Sequence, residues 1–285
     1  MSKWRSPGVV YNPQIPGTQD LVKQIVGHLG LGDDSLVCTI QELENLGEDS
    51  PKLDVLITVG GDGTILRAVH VAAPRGMAIL GINMGRVGFM TELSAENALH
   101  DLGKYLKNDL WVEERTMLQA RIERAGEQTY HALNEVVVGS SAVSRMSWLG
   151  VTIAGELLTT YRADSVIVST ATGSTGYALS AGGPVLYPQS RDILLIPVAQ
   201  HFGMSKALVL PSTSKIELTV MSSGPTTIGI DGFIDLELKQ GERVTVEISP
   251  RVARFLRAHP PNHYFAALTR RLGLEHGNDR HQPRS

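Results

Sequence analysis

The chain has 285 residues, 42% of them hydrophobic and 19% charged, with a formal net charge of −3. That length and apolar content suffice to bury the cores of two modest domains, and the weak negative charge excludes a global positive field that would recruit nucleic acid or a membrane surface. The single cysteine, Cys38, excludes an intramolecular disulfide framework, and no stretch approaches the roughly 20 apolar residues of a membrane span. The expectation is a soluble cytoplasmic protein without a nucleic-acid or membrane partner.

In chain order, residues 8–11 read as a strand, 18–29 as a helix and 36–40 as a strand. Residues 54–59 read as a strand, 64–72 as a helix, 77–82 as a strand and 95–106 as a helix. Continuous apolar strands separated by helices imply a parallel sheet covered on both faces, hence a doubly wound, Rossmann-like α/β domain over residues 1–108. Ligands of such a sheet gather at the carboxyl ends of its strands. After residue 110 the helical pattern gives way to short strands at 118–124, 129–138, 149–153, 157–161, 192–197, 215–221, 227–230, 234–238 and 243–248. Their spacing predicts a β-sandwich-like domain over residues 109–261. An amphipathic helix at 262–274 is expected to return to the first domain, and the polar stretch 275–285 to be a disordered tail.

Three segments carry chemistry. Gly60-Gly61-Asp62-Gly63-Thr64 follows the strand at 54–59. Paired glycines there let the backbone approach an anionic group closely, with a carboxylate where a reacting hydroxyl could meet it; alternatively, Asp62 caps a helix starting near Thr64. Asn134-Glu135 interrupts the alternation of the strand at 129–138 with a polar pair. The run from Asp164 through Thr172-Gly173-Ser174-Thr175-Gly176-Tyr177 to Gly182-Gly183-Pro184 leads a hydrophobic strand into hydroxyls, glycines and an aromatic ring at a helix start, which is a dense supply of donors and a stacking surface. No Gly-x-x-x-x-Gly-Lys-Ser/Thr is present, which argues against a P-loop enzyme, and no Gly-x-Gly-x-x-Gly follows the third strand, which weakens a hydride-transferring dehydrogenase.

Together with the loop at 83–92, these motifs resemble bacterial NAD kinases in the same order over residues 7–272. The glycine motif is shared with diacylglycerol and sphingosine kinases, the later motifs are not. The resemblance implies transfer of the ATP γ-phosphoryl group to the 2′-hydroxyl of the adenosine ribose of NAD. It also implies a divalent ion, Mg²⁺, with the ATP, and a homo-oligomer, dimer or tetramer. Residue by residue it makes Asp62 the catalytic carboxylate, with Gly63 and Arg67 beside the nucleotide. Asn134 and Glu135 would hold the adenosine ribose and base. Arg145, Arg162 and Asp164 match positions around the dinucleotide, some supplied by a neighbouring subunit, and Thr175, Gly176, Tyr177, Ala178, Leu179 and Ser180 form the binding loop.

This sequence departs from the family pattern at Ala171 in place of proline, Gly176 in place of alanine, Ser165 in place of glycine, and Phe233 in place of the glutamine of Asp-Gly-Gln. Val198-Ala199-Gln200-His201 likewise replaces Ile-Cys-Pro-His. These changes bear on affinity and selectivity more than on the reaction. A lipid kinase and a non-catalytic dinucleotide-binding regulator remain as alternatives. The first would need an apolar channel or basic interfacial face, the second would keep the loops without turnover.

Overall fold

The computed structural model describes residues 4, 6–32, 35–47, 51–85, 88–107, 110–124, 128–142, 145–202 and 204–272. The chain divides into two units, one comprising Met1–Glu113 and Arg254–Ser285, the other Glu114–Ala253. The expected tail at 275–285 lies outside the described residues.

In the first unit, β1 (Pro7–Tyr11), α1 (Thr18–Leu29), β2 (Val37–Thr39), α2 (Ile40–Glu44), β3 (Val55–Gly60), α3 (Asp62–Ala72), β4 (Ala78–Asn83), β5 (Leu93–Ser94) and α4 (Ala95–Lys107) succeed one another. β2, β1, β3 and β4 lie side by side and parallel, and every residue of β3 and β4 is buried, as strands covered on both faces must be. Val9, Ile57, Val59, Leu80 and Ile82 pack against Leu21, Val22 and Ile25 of α1 and Ala98 and Leu102 of α4. This is the doubly wound α/β arrangement expected from the alternating pattern.

The helix α2 was not anticipated. Ile40, read as the end of a strand, instead opens a helix whose capping box is complete: Thr39 Oγ1 accepts from Glu42 N, and Glu42 Oε2 accepts from Thr39 N.

The second unit contains β6 (Trp111–Ile122, its residues up to Glu113 belonging to the first unit), β7 (Gln128–Ala132), β8 (Glu135–Ser140), β9 (Ser147–Ile153), β10 (Glu156–Ala163) and β11 (Ser165–Ser169). After a 3-10 turn at Gly173–Thr175 and the short helix α5 (Tyr177–Ser180) come β12 (Ile193–Val198), β13 (Leu208–Leu210), β14 (Ile216–Val220), β15 (Thr226–Ile230), β16 (Ile234–Leu238) and β17 (Arg243–Arg257). One sheet runs β13-β12-β11-β8-β15-β16, all antiparallel, and β10-β9-β14-β17 and the β6-β7 pair belong to the other. Inward residues of both sheets, such as Val136, Val166 and Ile228 against Val151, Leu218 and Val244, form one core. That is the sandwich expected from the strand spacing. The last residues of β17 belong to the first unit, where Arg254 and Phe255 pair in parallel with Ala78 and Ile79. α6 (His263–Arg271) follows in the same unit.

The segment 129–138, expected as one strand, is two. β7 pairs with β6 in one sheet and β8 with β11 and β15 in the other, and the chain changes sheets at Leu133-Asn134. The polar pair therefore stands at the break: Asn134 lies between the two strands, and Glu135 opens β8 opposite Ser169 of β11.

Candidate functional site

In the first unit the site is built where β3 empties into α3. Glycine is required at position 60, where a Cβ would strike the Thr64 side chain, and at position 88, where it would overlap the Asp62 carboxylate. Asp62 is not the helix cap. Gly61 occupies that position with no side-chain bond, and the Asp62 carboxylate turns to the next loop, accepting from Phe89 N at 2.7 Å and Met90 N at 3.1 Å, one bond to each oxygen. An ionised carboxylate has about four acceptor positions, so two remain for a ligand hydroxyl. Gly63 adds no side chain. Arg67 engages Glu44 of α2 with both Nε (2.6 Å) and Nη2 (2.5 Å), so in this conformation the guanidinium is committed to an ion pair.

In the second unit, Asp231 organises the site. It occupies the β15–β16 turn with φ +50°, followed by Gly232 at φ +73°, and its buried carboxylate accepts from Leu133 N (2.8 Å), Asn134 N (2.7 Å) and Glu135 N (3.1 Å). From the other side, Thr170 N and Ser169 Oγ donate to Asn134 O, and Thr170 Oγ1 donates to Leu133 O. A Cβ at Gly173 would collide with Asn134 O. The backbone of Asn134-Glu135 is thus clasped by two loops while its side chains are left over: Asn134 Oδ1 and Glu135 Oε2 are buried and have no hydrogen-bond partner. Buried acceptors without partners are costly, and a ligand carrying hydroxyl or amino donors would satisfy them.

Burial, then the nearby Asp231 charge, pushes the Glu135 carboxyl up to about 7. The folded form therefore holds a proton between about pH 4.5 and 7 that the unfolded chain releases, so this group's contribution to stability falls as pH rises through that window. One pKa unit is about 1.4 kcal/mol, which makes ionised Glu135 a cost on the order of 3 kcal/mol above pH 7. Glu135→Gln is expected to melt several degrees higher than the parent at pH 8 and to lose that advantage near pH 4.5. A difference independent of pH would show that Glu135 is not held protonated by burial.

A cavity of about 470 Å³ opens in this unit, lined among others by Glu135, Gly139, Ser140, Asp164, Tyr177 and Asp235. It is large enough for a nucleotide-sized ligand. It brings together Glu135, Asp164 and Tyr177. Gly176 is adjacent: a Cβ there would lie 3.7 Å from Glu135 Oε2 and 3.8 Å from Asn134 Nδ2. Thr175 spends its hydroxyl on Thr172 O, Leu179 is half-buried and Ser180 exposed. Ala178 points inward, packed with Ile167, Leu194 and Ile196, so any contact it makes with a ligand is through its backbone. Arg145 and Arg162 are exposed and do not line the cavity, and Phe233 is partly exposed beside the Asp231 turn rather than part of the core. Asp231, Asp235, Gly139 and Ser140 were missed. Of these, only Asp231 had a local signal, an Asp-Gly turn between two strands.

Comparison with known proteins follows the same two halves. Residues 31–110 match the ATP-NAD kinase N-terminal domain and residues 133–258 the ATP-NAD kinase C-terminal domain. The chain is 38% identical over 273 residues to an NAD kinase of Dehalococcoides mccartyi, covering 94% of this chain and 96% of that protein. It is 34% identical over 267 residues to one from Chloroflexus aggregans, covering 93% and 97%. Among solved structures it is similar to an NAD kinase from Archaeoglobus fulgidus in complex with ATP, with a TM-score of 0.74, 30% identity and coverage of 93% and 99%. The fold alone is shared with yeast NADH kinase complexed with NADH, at TM-score 0.81, 22% identity and coverage of 100% and 94%. With both halves matched and relatives above 30% identity over nearly the whole length, the chain belongs to the ATP-NAD kinase family.

Proposed function

We propose that the chain transfers the γ-phosphoryl group of ATP to the 2′-hydroxyl of the adenosine ribose of NAD, giving NADP and ADP. The observation that carries this reading is the pair of buried, unpartnered acceptors on Asn134 and Glu135 beside the cavity, which call for a ligand rich in hydroxyl donors. Family membership makes that ligand NAD, and the Archaeoglobus relative solved with ATP supports the donor.

The chemistry follows from the residues. Phosphoryl transfer passes through a loose transition state, so the protein accelerates it by positioning and by stabilising charge. Asp62 orients the attacking hydroxyl and accepts its proton as the O–P bond forms. Asn134 and Glu135 accept hydrogen bonds from the ribose, the loop at 172–180 holds the dinucleotide, and the N–H groups at the Gly60 to Thr64 turn serve the ATP phosphates. Among the described residues no group of three or more His, Cys, Asp or Glu could hold a metal ion. Mg²⁺ would come with ATP and supply charge neutralisation for the transfer. Arg67 would reach the nucleotide by leaving Glu44. Arg145, Arg162 and Asp164 serve the dinucleotide, some of them in a neighbouring copy.

A homo-oligomer is supported by exposed Trp148, Leu157, Phe202 and Met221 in the second unit, where β10 stands at the end of its sheet beside β9. No helix among the described residues is long and apolar enough to cross a membrane. Cytoplasmic action, without nucleic acid or membrane, completes the reading.

The deciding assay supplies Mg²⁺ and ATP with NAD or diacylglycerol and detects NADP with an NADP-specific dehydrogenase, or lipid phosphate. NADP alone supports the proposal, lipid phosphate favours the lipid-kinase alternative, and NAD binding without product favours a regulator.

Tyr177, 44% exposed at the cavity, supplies a ring for stacking worth about 1 kcal/mol beyond area. Tyr177→Ala is expected to raise KM for NAD several-fold and leave KM for ATP nearly unchanged. Equal shifts in both would remove Tyr177 from the dinucleotide subsite.

A further inference from the structure

The carboxylate of Asp62 is only as well placed as the two N–H groups that hold it, and those belong to a turn that is itself fixed from the other end of the chain. Met90, whose N–H donates to Asp62 Oδ1, has its carbonyl oxygen on Arg257 Nη1 at 3.0 Å, across 167 positions of sequence. Arg257 does not hang loose at that contact. Its Nε donates to Glu113 Oε2 at 2.8 Å, and Nη1 also reaches Glu92 Oε2 at 3.1 Å. The other Glu92 oxygen accepts from Tyr105 Oη at 3.1 Å and Ala258 N at 3.0 Å. All three charged side chains are buried, at 9% exposure for Arg257, 7% for Glu92 and 8% for Glu113. Every group in this network lies in the first unit.

A buried ion cluster of this kind is a poor way to gain stability, because desolvation offsets the attraction and an apolar cluster of the same volume would serve as well. What a planar guanidinium fork provides is direction: with Nε tied to one carboxylate and Nη1 to another, the guanidinium plane is fixed, and with it the direction of the second Nη1 N–H. Here it points at the Met90 carbonyl. The rest of the turn is pinned at shorter range, with Gly88 N donating to Thr91 Oγ1 and Glu92 N to Gly81 O. The Phe89 ring lies under the Arg271 guanidinium of α6, 4.6 Å from its centroid.

We propose that Arg257 is a positioning residue for catalysis: by holding the Met90 carbonyl it orients the 88–92 turn so that the Phe89 and Met90 N–H groups hold Asp62 in the geometry that meets the acceptor hydroxyl. This rests on the reading of Asp62 as the catalytic carboxylate. No bond to substrate is assigned to Arg257; its effect passes through Asp62.

A double-mutant cycle on the full chain tests this, with single-turnover NADP formation, both KM values and melting temperature measured for each variant. Arg257→Gln is expected to lower the rate about tenfold or more in the Asp62 background, to leave KM for ATP and NAD within about threefold, and to cost less than about twofold in the Asp62→Asn background, since residues acting as a unit are not additive. Arg257→Lys keeps a cation beside Glu92 and Glu113 but cannot span Glu113 and the Met90 carbonyl together. It is expected to show the same pattern with a smaller first loss, and it carries the cycle if Arg257→Gln does not fold. Equal losses in both backgrounds, or a rise in KM with an unchanged rate, would overturn the positioning role while leaving Asp62 intact. Near-parental turnover by Asp62→Asn alone would overturn the reading of Asp62, and this proposal with it.

Discussion

Asp231→Ala is expected to remove a large part of the second unit's stability and, in whatever fraction folds, most of its affinity for NAD. The carboxylate holds the N–H groups of Leu133, Asn134 and Glu135 at 2.7 to 3.1 Å in a buried setting. Truncation leaves these donors without that acceptor, at about 1–3 kcal/mol for each buried group left unsatisfied. It also places alanine at φ +50°, a conformation that costs an L-residue roughly 1–2 kcal/mol. Against a typical margin of about 5–15 kcal/mol, a loss on the order of 5 kcal/mol is near the limit of folding. Asp231→Asn separates the two consequences. Asparagine tolerates the left-handed backbone and keeps one acceptor oxygen, but turns an amide donor toward one of the N–H groups. The expected result is a loss of about 1–2 kcal/mol in urea denaturation together with a several-fold rise in KM for NAD. If the asparagine variant leaves both quantities unchanged, the clasp on Asn134-Glu135 is not what presents them to the ligand.

The contrast between Asp231 and the glycine motif shows what the sequence could and could not carry. The α/β domain was legible because parallel strands buried on both faces leave continuous apolar runs, as in Val55–Gly60 and Ala78–Asn83. Gly60 to Thr64 was legible because a strand emptying into paired glycines is a local signature. The second domain's strands were legible from alternation, as in Ile216–Val220. The sheet change at Leu133-Asn134 was not. Thr129 to Val138 alternates well enough for one strand, and the break comes from hydrogen bonds to Asp231, 97 positions away from Asn134.

The same holds for Asp62 and Arg257. A carboxylate directly after paired glycines can be read locally as a cap, and only the tertiary structure shows its oxygens turned to the backbone 27 and 28 positions further on. Nothing local distinguishes Arg257 from any other arginine in an alternating strand. Its partners Glu113 and Glu92 lie 144 and 165 positions away, and burial of the group is a property of the packed unit alone. The residues proposed to meet a ligand sat in recognisable loops. Those that aim them were visible only once distant segments had been brought together.

Asp62→Asn is expected to lower kcat by roughly 10² to 10⁴, the contribution typical of general-base catalysis. The substitution cannot be dismissed as loss of a helix cap, because Gly61 caps α3 without any help from the side chain. It does disturb the clasp on the 88–90 turn, since the amide nitrogen replaces an oxygen that accepts from Phe89 N or Met90 N. Losing one such bond is worth about 1–3 kcal/mol where the acceptor is charged, enough to lower the melting temperature by a few degrees but not to unfold a domain of this size. NAD affinity is expected to change much less than kcat, because in the proposed function Asn134, Glu135 and the loop at 172–180 hold the dinucleotide without Asp62. Calorimetric NAD binding, melting temperature and coupled NADP formation on one preparation separate these effects. A variant that folds, binds NAD with near-parental affinity and turns over at more than about a tenth of the parental rate would be far short of a general-base effect, and the proton of the 2′-hydroxyl would then have to leave by another group.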